Sequence, residues 1–357
     1  MKKLFIAIAA LAAMTSCSQD EVMEVAEKQA ITFGKAFVGN ATRAIDPSKN
    51  NGTNLLTQFT AYGNLKVGET YVKLYGGDGV AANGTTYGTA YTTNETEYWT
   101  PNVTYQFAAV ANHKSVAVAQ TTGLPSSITF DYDNGDDDLL YTKVGNVVTT
   151  NESATPTTGV DENGIVNFTF DHLLSKLQFK FINGSLDSRN IFKVKDIKIS
   201  GLPTSGTYII GNDKPWGTPT GNTGVALFGA ATDATTTTST TAVDIKTENK
   251  DGITSNDARL VIPNKNELTI TFVKELYYDA DGNGAAADGE KVYSDANLTT
   301  GNKFTTITLN GTGENAVQKE FEANGNYVLV VTLGKDNEIK FTVETINGWT
   351  PEADVKI

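Results

Sequence analysis

The sequence predicts an all-β protein built as two β-sandwich domains in tandem, and three observations carry that reading. Gly, Thr and Asn are abundant, and no Ala/Leu/Glu-rich helical stretch follows the N-terminus, a composition that suits strands and turns. Short runs alternate apolar and polar residues, the period of a half-buried strand. A polar, turn-rich break, "TNESATPTTGVDENG" (150–164), divides the 357 residues into two such runs, 44–165 and 166–357, each large enough for one domain.

The chain opens with "MKKLFIAIAALAAMTSC" (1–17): Lys2 and Lys3, an apolar stretch and a small-residue end. That is the pattern of a secretory signal, too short to span a bilayer as a mature helix. It ends at Cys17, the only cysteine, so no intramolecular disulfide can form. The placing of Cys17 resembles a bacterial lipobox, where the thiol becomes acylated and anchors the protein in lipid. The acidic "SQDEVMEVAE" that follows reads as a tether and is similar to the surface-export signal of Bacteroides-type lipoproteins.

Residues 18–43 form this tether plus one strand, "AITFGKAFVG" (30–39), with Ile31, Phe33 and Phe37 on one face. The loop "NATRAIDPSKNNGTN" (40–54) contains Arg43, one of three arginines in the chain. Strands are then expected at 55–65, at 70–77 ended by glycines, through Tyr105, Phe107 and Ala109 after a turn at Thr100–Pro101, at 126–132 and at 138–147. The alternation restarts at 165–183, where Val166, Phe168 and Phe170, then Leu177, Phe179 and Phe181, recur at period two. A strand, a Pro-Gly turn and a strand fill 194–210, and 211–256 reads mostly as long loops with up to two short strands. Five strands close the chain, at 258–264, 267–279, 303–310, 326–334 and 338–348, the last two joined by the hairpin turn "GKDN".

The chemistry-bearing residues are few. Net charge is −13 and no basic run exists, so nucleic acid is not an expected partner. His113 and His172 stand far apart and read as structural, and no nucleophile elbow, phosphate loop or dinucleotide fingerprint is present. No enzyme activity is expected. Trp99 and Trp349 adjoin strand residues and suit a core or interface, whereas Trp216 is the candidate for an exposed contact. One stretch, "DADGNGAAADGE", fits a calcium-loop pattern through Asp279, Asp281, Asn283, Gly284 and Glu290. Its flanks are strand-like, so a solvated hairpin loop is the competing reading. No other cofactor is implied.

Several segments in order, Cys17, "ATRA", "YWTPNVTYQFAAV", "FTFDHLLSKLQFKF", "ISGLPTSGTY" and "FTVETINGW", together resemble the fimbrillin family of Bacteroidales, the subunits of type V pili. The resemblance spans the whole chain. It implies two transthyretin-like β-sandwiches, export as an outer-membrane lipoprotein, cleavage after an arginine by an arginine-specific surface protease, and polymerisation with other pilin subunits by strand exchange at the cell surface. In those terms Arg43 and Ala44 flank the cleaved bond, while Arg189 and Arg259 lie against apolar runs and are protected. Cleavage removes the strand of Ile31, Phe33 and Phe37. The groove it leaves is refilled by a donor strand, for which Phe341 and Val343, or Val355 and Ile357, supply the side chains. The competing reading is a surface lipoprotein that binds a glycan or host protein and never polymerises. Anchor and tip subunits are further variants.

Overall fold

A computed structural model describes residues 29–38, 56, 58–82, 91–111, 116–131, 138–150, 156, 158–221, 223–226, 243–245, 253–254, 259–265, 267–294, 305–312, 317–334 and 339–346. Among them there is no α-helix, only one turn of 3-10 helix at Asp288–Glu290. The strands of the first half are β1 (Thr32–Val38), β2 (Gln58–Val67), β3 (Thr70–Ala82), β4 (Tyr91–Thr93), β5 (Thr104–Ala111), β6 (Val116–Thr121), β7 (Leu124–Asp131), β8 (Leu140–Val148) and β9 (Ile165–His172). Those of the second half are β10 (Ser175–Asn183), β11 (Asn190–Leu202), β12 (Ser205–Ile209), β13 (Thr223–Ala226), β14 (Val243–Ile245), β15 (Ile253–Thr254), β16 (Arg259–Val261), β17 (Leu268–Tyr278), β18 (Lys291–Ser294), β19 (Thr305–Leu309), β20 (Asn326–Leu333) and β21 (Ile339–Ile346).

The first half closes into a barrel in the order β1-β4-β3-β2-β5-β8-β9. Strand β9 alternates as the sequence predicts, with Val166, Phe168 and Phe170 fully buried inside. Yet β9 pairs with β1 and β8. The expected break at 165/166 therefore falls at the start of this barrel strand.

The second half is a sandwich. One sheet runs β15-β10-β20-β21, with β16 also on β10; the other runs β13-β11-β17-β18, with β14 on β11 and β19 on β17. Leu177, Phe179 and Phe181 from one sheet meet Phe192, Val194 and Phe272 from the other in one apolar core.

A third, three-stranded sheet, β12-β7-β6, ties the halves together. Here β12, from the second half, pairs antiparallel with β7 from the first. Beneath it Tyr62, Val110, Ile128 and Phe130 pack with Leu174 and Ile262. Trp216 belongs to this seam. It is half-buried, its ring lies edge-on to Tyr208 at 5.5 Å, and its Nε1 donates to the Leu173 carbonyl at 2.8 Å. The exposed contact expected of Trp216 is corrected by that hydrogen bond and packing. Trp99 is buried in the barrel, edge-on to Tyr105 at 4.8 Å.

Candidate functional site

Strand β1 is the candidate site. It lies between β9, to which it runs parallel, and β4, to which it runs antiparallel. Phe33 and Ala36 of β1, and Ile31 just before it, are all buried in the barrel. Phe33 is the hub. Its ring stacks on Phe168 at 5.3 Å and meets Tyr75, Phe107 and Phe59 edge-on at 5.6, 5.8 and 6.1 Å. Such aromatic pairs add about 0.5–1.5 kcal/mol each beyond the area they bury.

The backbone of β1 is less well held than this side chain. Against β9 the register shifts between Gly34 and Phe37, a bulge that turns Ala36 inward instead of continuing the alternation. Against β4 the regular pairing is Phe33 with Tyr91 alone. Flanking bonds run from the Ile31 N–H to the Glu97 carbonyl (2.8 Å) and from the Trp99 N–H to the Gln29 carbonyl (3.0 Å). The sequence placed Ile31 and Phe33 together, and the structure brings both into the core. The side chain of Phe37 lies outside the described residues; its backbone pairs with Thr169.

Cys17, Arg43, Ala44, Val355, Ile357, His113 and Trp349 also lie outside the described residues. Of the other two arginines, Arg189 stands exposed in the turn just before β11, contrary to the protection expected of it, and Arg259 lies in a strand. The Arg189 N–H donates to Asp187 (3.0 Å), its carbonyl accepts from Asp279 (2.8 Å), and its guanidinium lies 4.6 Å from the Tyr278 ring centre. Arg259 sits in β16, paired with Leu177 of β10. Phe341 and Val343 stand in β21, paired along its length with β20, and are half-buried against the second core. Strand β21 forms the outer edge of its sheet.

The calcium-like residues are brought together in the hairpin between β17 and β18. Carboxylate oxygens of Asp279, Asp281 and Glu290 lie within 4.8 Å of one another. Asp279 accepts from the Asn283 and Gly284 N–H groups (3.0 and 2.8 Å), Asp281 from the Asn283 N–H (3.1 Å), and Glu290 from the Ala280 N–H (2.8 Å). Gly282 and Gly284 take positive φ, as the tight turn requires. Burial would raise the Asp279 carboxyl, but the Gly284 N–H, the Asp281 hydrogen bond and the Asn283 N–H hold it below the usual aspartate range. Each carboxylate is thus bonded within its own loop, and strands rather than helices flank it.

Two polar clusters escaped the sequence reading. His172 Nδ1 meets the buried Asp138 carboxylate, clasping the end of β9 to the start of β8. On the outer face of β17, Glu275 accepts from the Tyr277 hydroxyl (2.8 Å), Lys195 (3.1 Å), Lys291 (3.2 Å) and Ser294 (3.1 Å). Burial alone would raise the Glu275 carboxyl, yet the hydrogen bonds from Tyr277, Lys195 and Lys291 lower it to about 2. A carboxyl lowered in the folded state stabilises that state fully above the unfolded value, near 4.5, and loses the contribution as pH falls toward 2. Glu275→Gln should therefore cost about 1–3 kcal/mol at pH 7. The difference should shrink between pH 4.5 and 2, as urea unfolding at a series of pH values will show. An equal difference at every pH would assign the loss to packing.

No curated protein matches the chain by sequence. Among solved structures, a fimbrial protein from Bacteroides vulgatus ATCC 8482 is 14% identical, with a TM-score of 0.50 over 89% of this chain and 99% of that one. The tip fimbrial protein Mfa3 from Porphyromonas gingivalis, in a C-terminally truncated form, is 12% identical, with a TM-score of 0.40 over 89% of this chain and 100% of that one. These likenesses are of fold. A family model described as fimbrillin-like matches residues 42–349, from the loop after β1 to just past the end of β21. By that match the chain belongs to the fimbrillin-like family.

Proposed function

We propose that this chain is a stalk subunit of a type V fimbria, exported as a lipoprotein acylated at Cys17 and assembled on the cell surface by strand exchange after cleavage between Arg43 and Ala44. The observation that carries the reading is β1. It precedes the loop of Arg43, it is outside the family match, and it supplies the aromatic hub of the barrel. Its departure opens a groove lined by apolar rings and unpaired backbone, a surface that another strand can fill. The lipid serves transport, the protease is the switch, and the filled groove is the joint. A head-to-tail joint of this kind does not close on itself, so it builds a filament that supports adhesion.

Family membership and the fimbrial fold neighbour support a structural role over an enzymatic one. Arg259 lies within the paired strand β16, whereas Arg189 stands exposed in the turn before β11 and is the competing site. Intact mass and N-terminal sequencing of protein recovered from the cell surface test the proposal. The expected mature N-terminus is Ala44, without acyl groups. An acylated Cys17 at the surface would overturn the switch and favour an anchor subunit or a binding lipoprotein.

A further inference from the structure

The turn between β10 and β11 presents an arginine at the surface. The Arg189 side chain is 53% exposed, and the nearby Leu186 projects fully into solvent. A protease that cuts after arginine needs more than the side chain. It holds its substrate as an extended strand, pairing the backbone on both sides of the bond. The carbonyl under attack must also be free to accept hydrogen bonds from the enzyme.

At Arg189–Asn190 all four backbone groups flanking the bond are already engaged. The Arg189 N–H donates to the Asp187 carboxylate (3.0 Å), and the Asn190 N–H donates to the Asp187 carbonyl (3.1 Å). The Arg189 carbonyl accepts from the Asp279 N–H (2.8 Å), and the Asn190 carbonyl accepts from the Asn183 side-chain amide (2.7 Å). Asn183 and Asn190 are both buried. Ser185 joins them, its N–H donating to Asn183 Oδ1 (2.9 Å) and its Oγ accepting from Asn190 Nδ2 (2.6 Å). The guanidinium is engaged as well, with its Nε 3.5 Å from the Asp187 carboxylate and its centre 4.6 Å from that of the Tyr278 ring. The chain curls back on itself where a protease requires it straight.

Resting on the cleavage reading above, we infer that Asp187 and Asn183 form a lock that spares the exposed Arg189–Asn190 bond from the arginine-specific protease. Hydrolysis there would add water across the peptide bond, leaving a carboxylate on Arg189 and an amine on Asn190. It would part β10 from β11, which belong to different sheets of the second sandwich. The lock acts before that chemistry, because the bond fits a protease only after the turn opens and its hydrogen bonds break together. Asp187 serves three times, through its carboxylate to the Arg189 N–H and guanidinium and through its carbonyl to Asn190. Asn183 ends β10, so the lock reaches across the turn from strand to strand. Sensitivity to cleavage at this position is thus set by backbone engagement, not by exposure of the arginine.

The chain has three arginines, so arginine-specific digestion can cut three bonds and the fragment masses identify each. The full-length precursor, treated with a purified arginine-specific endoprotease, should be cut after Arg43 and stay whole at Arg189. Asp187→Ala should speed cutting at Arg189 about 10-fold or more, because cutting follows the open fraction and a hydrogen bond to a charged group is lost. Asn183→Ala should do the same by stripping the buried Asn190 carbonyl of its donor. Asp187→Asn, which keeps an acceptor oxygen, should stay resistant. Arg259, inside β16, is the internal control: general unfolding exposes both bonds, whereas an opened turn exposes Arg189 alone. Wild-type cutting at Arg189 as fast as at Arg43 overturns the lock. So does resistance that survives in both alanine variants, or equal cutting at Arg189 and Arg259 in both. A wild-type chain left whole at Arg43 overturns the processing reading instead, and the lock is still decided by the variants at Arg189.

Discussion

Phe33→Ala should destabilise the uncleaved precursor by about 3–5 kcal/mol, the cost of truncating a large buried aromatic, and leave the cleaved protein unchanged. The loss falls on one form because, under the proposed cleavage after Arg43, Phe33 belongs to the segment removed. In the precursor its ring touches four others and is fully buried, so truncation leaves a cavity that the rigid barrel wall cannot collapse to fill. The backbone of β1 offers little compensation, with a bulge against β9 and a single regular pair against β4. A plug so weakened should also be displaced without proteolysis, and the variant precursor should form polymers that the wild-type precursor does not. Urea unfolding of both forms, before and after cleavage, checks the first statement; size exclusion of the uncleaved variant checks the second. Equal stability of the variant and wild-type precursors would remove Phe33 from the centre of the account.

Arg43→Ala should abolish assembly and leave an acylated monomer on the cell surface. The substitution lies in the polar stretch of sequence between β1 and β2, outside the described residues, and urea unfolding equal to that of the wild-type precursor would exclude misfolding as the cause of lost polymers. Arg43→Lys should fail in the same way if the processing enzyme is arginine-specific, and should be rescued by adding trypsin, which accepts both residues. Mass spectrometry of the intact surface protein together with filament counts would read both variants. Polymers at the wild-type rate from Arg43→Ala would show that β1 leaves by another route.

Much of the local structure was legible in the sequence. The strand of Ile31 and Phe33 was visible from its alternation, and so were the rows Val166-Phe168-Phe170 and Leu177-Phe179-Phe181, because burial on one face of a sheet imposes period two on any strand. Asp279, Asp281 and Glu290 share one hairpin because a turn with glycines at fixed offsets is a local object. Trp216 was misjudged because its partners, the Leu173 carbonyl and Tyr208, are met only when β12 crosses to pair with β7. Glu275 left only a faint signal. Lys193, Lys195, Glu275 and Tyr277 alternate along two strands that the sequence keeps about eighty residues apart.

The sequence by itself determined that the protein is β throughout and where its strongly alternating strands run, though not the strands β4, β6 and β18. Tertiary structure alone decided that β9 completes the barrel, that β1 lies parallel to it, and that β12 welds the halves. It also decided that Phe33 sits at the meeting point of four rings. The physical reason is range. Alternation and turn chemistry are written within a few residues, whereas a strand's neighbour and direction depend on hydrogen-bond ladders formed with chain more than a hundred residues away.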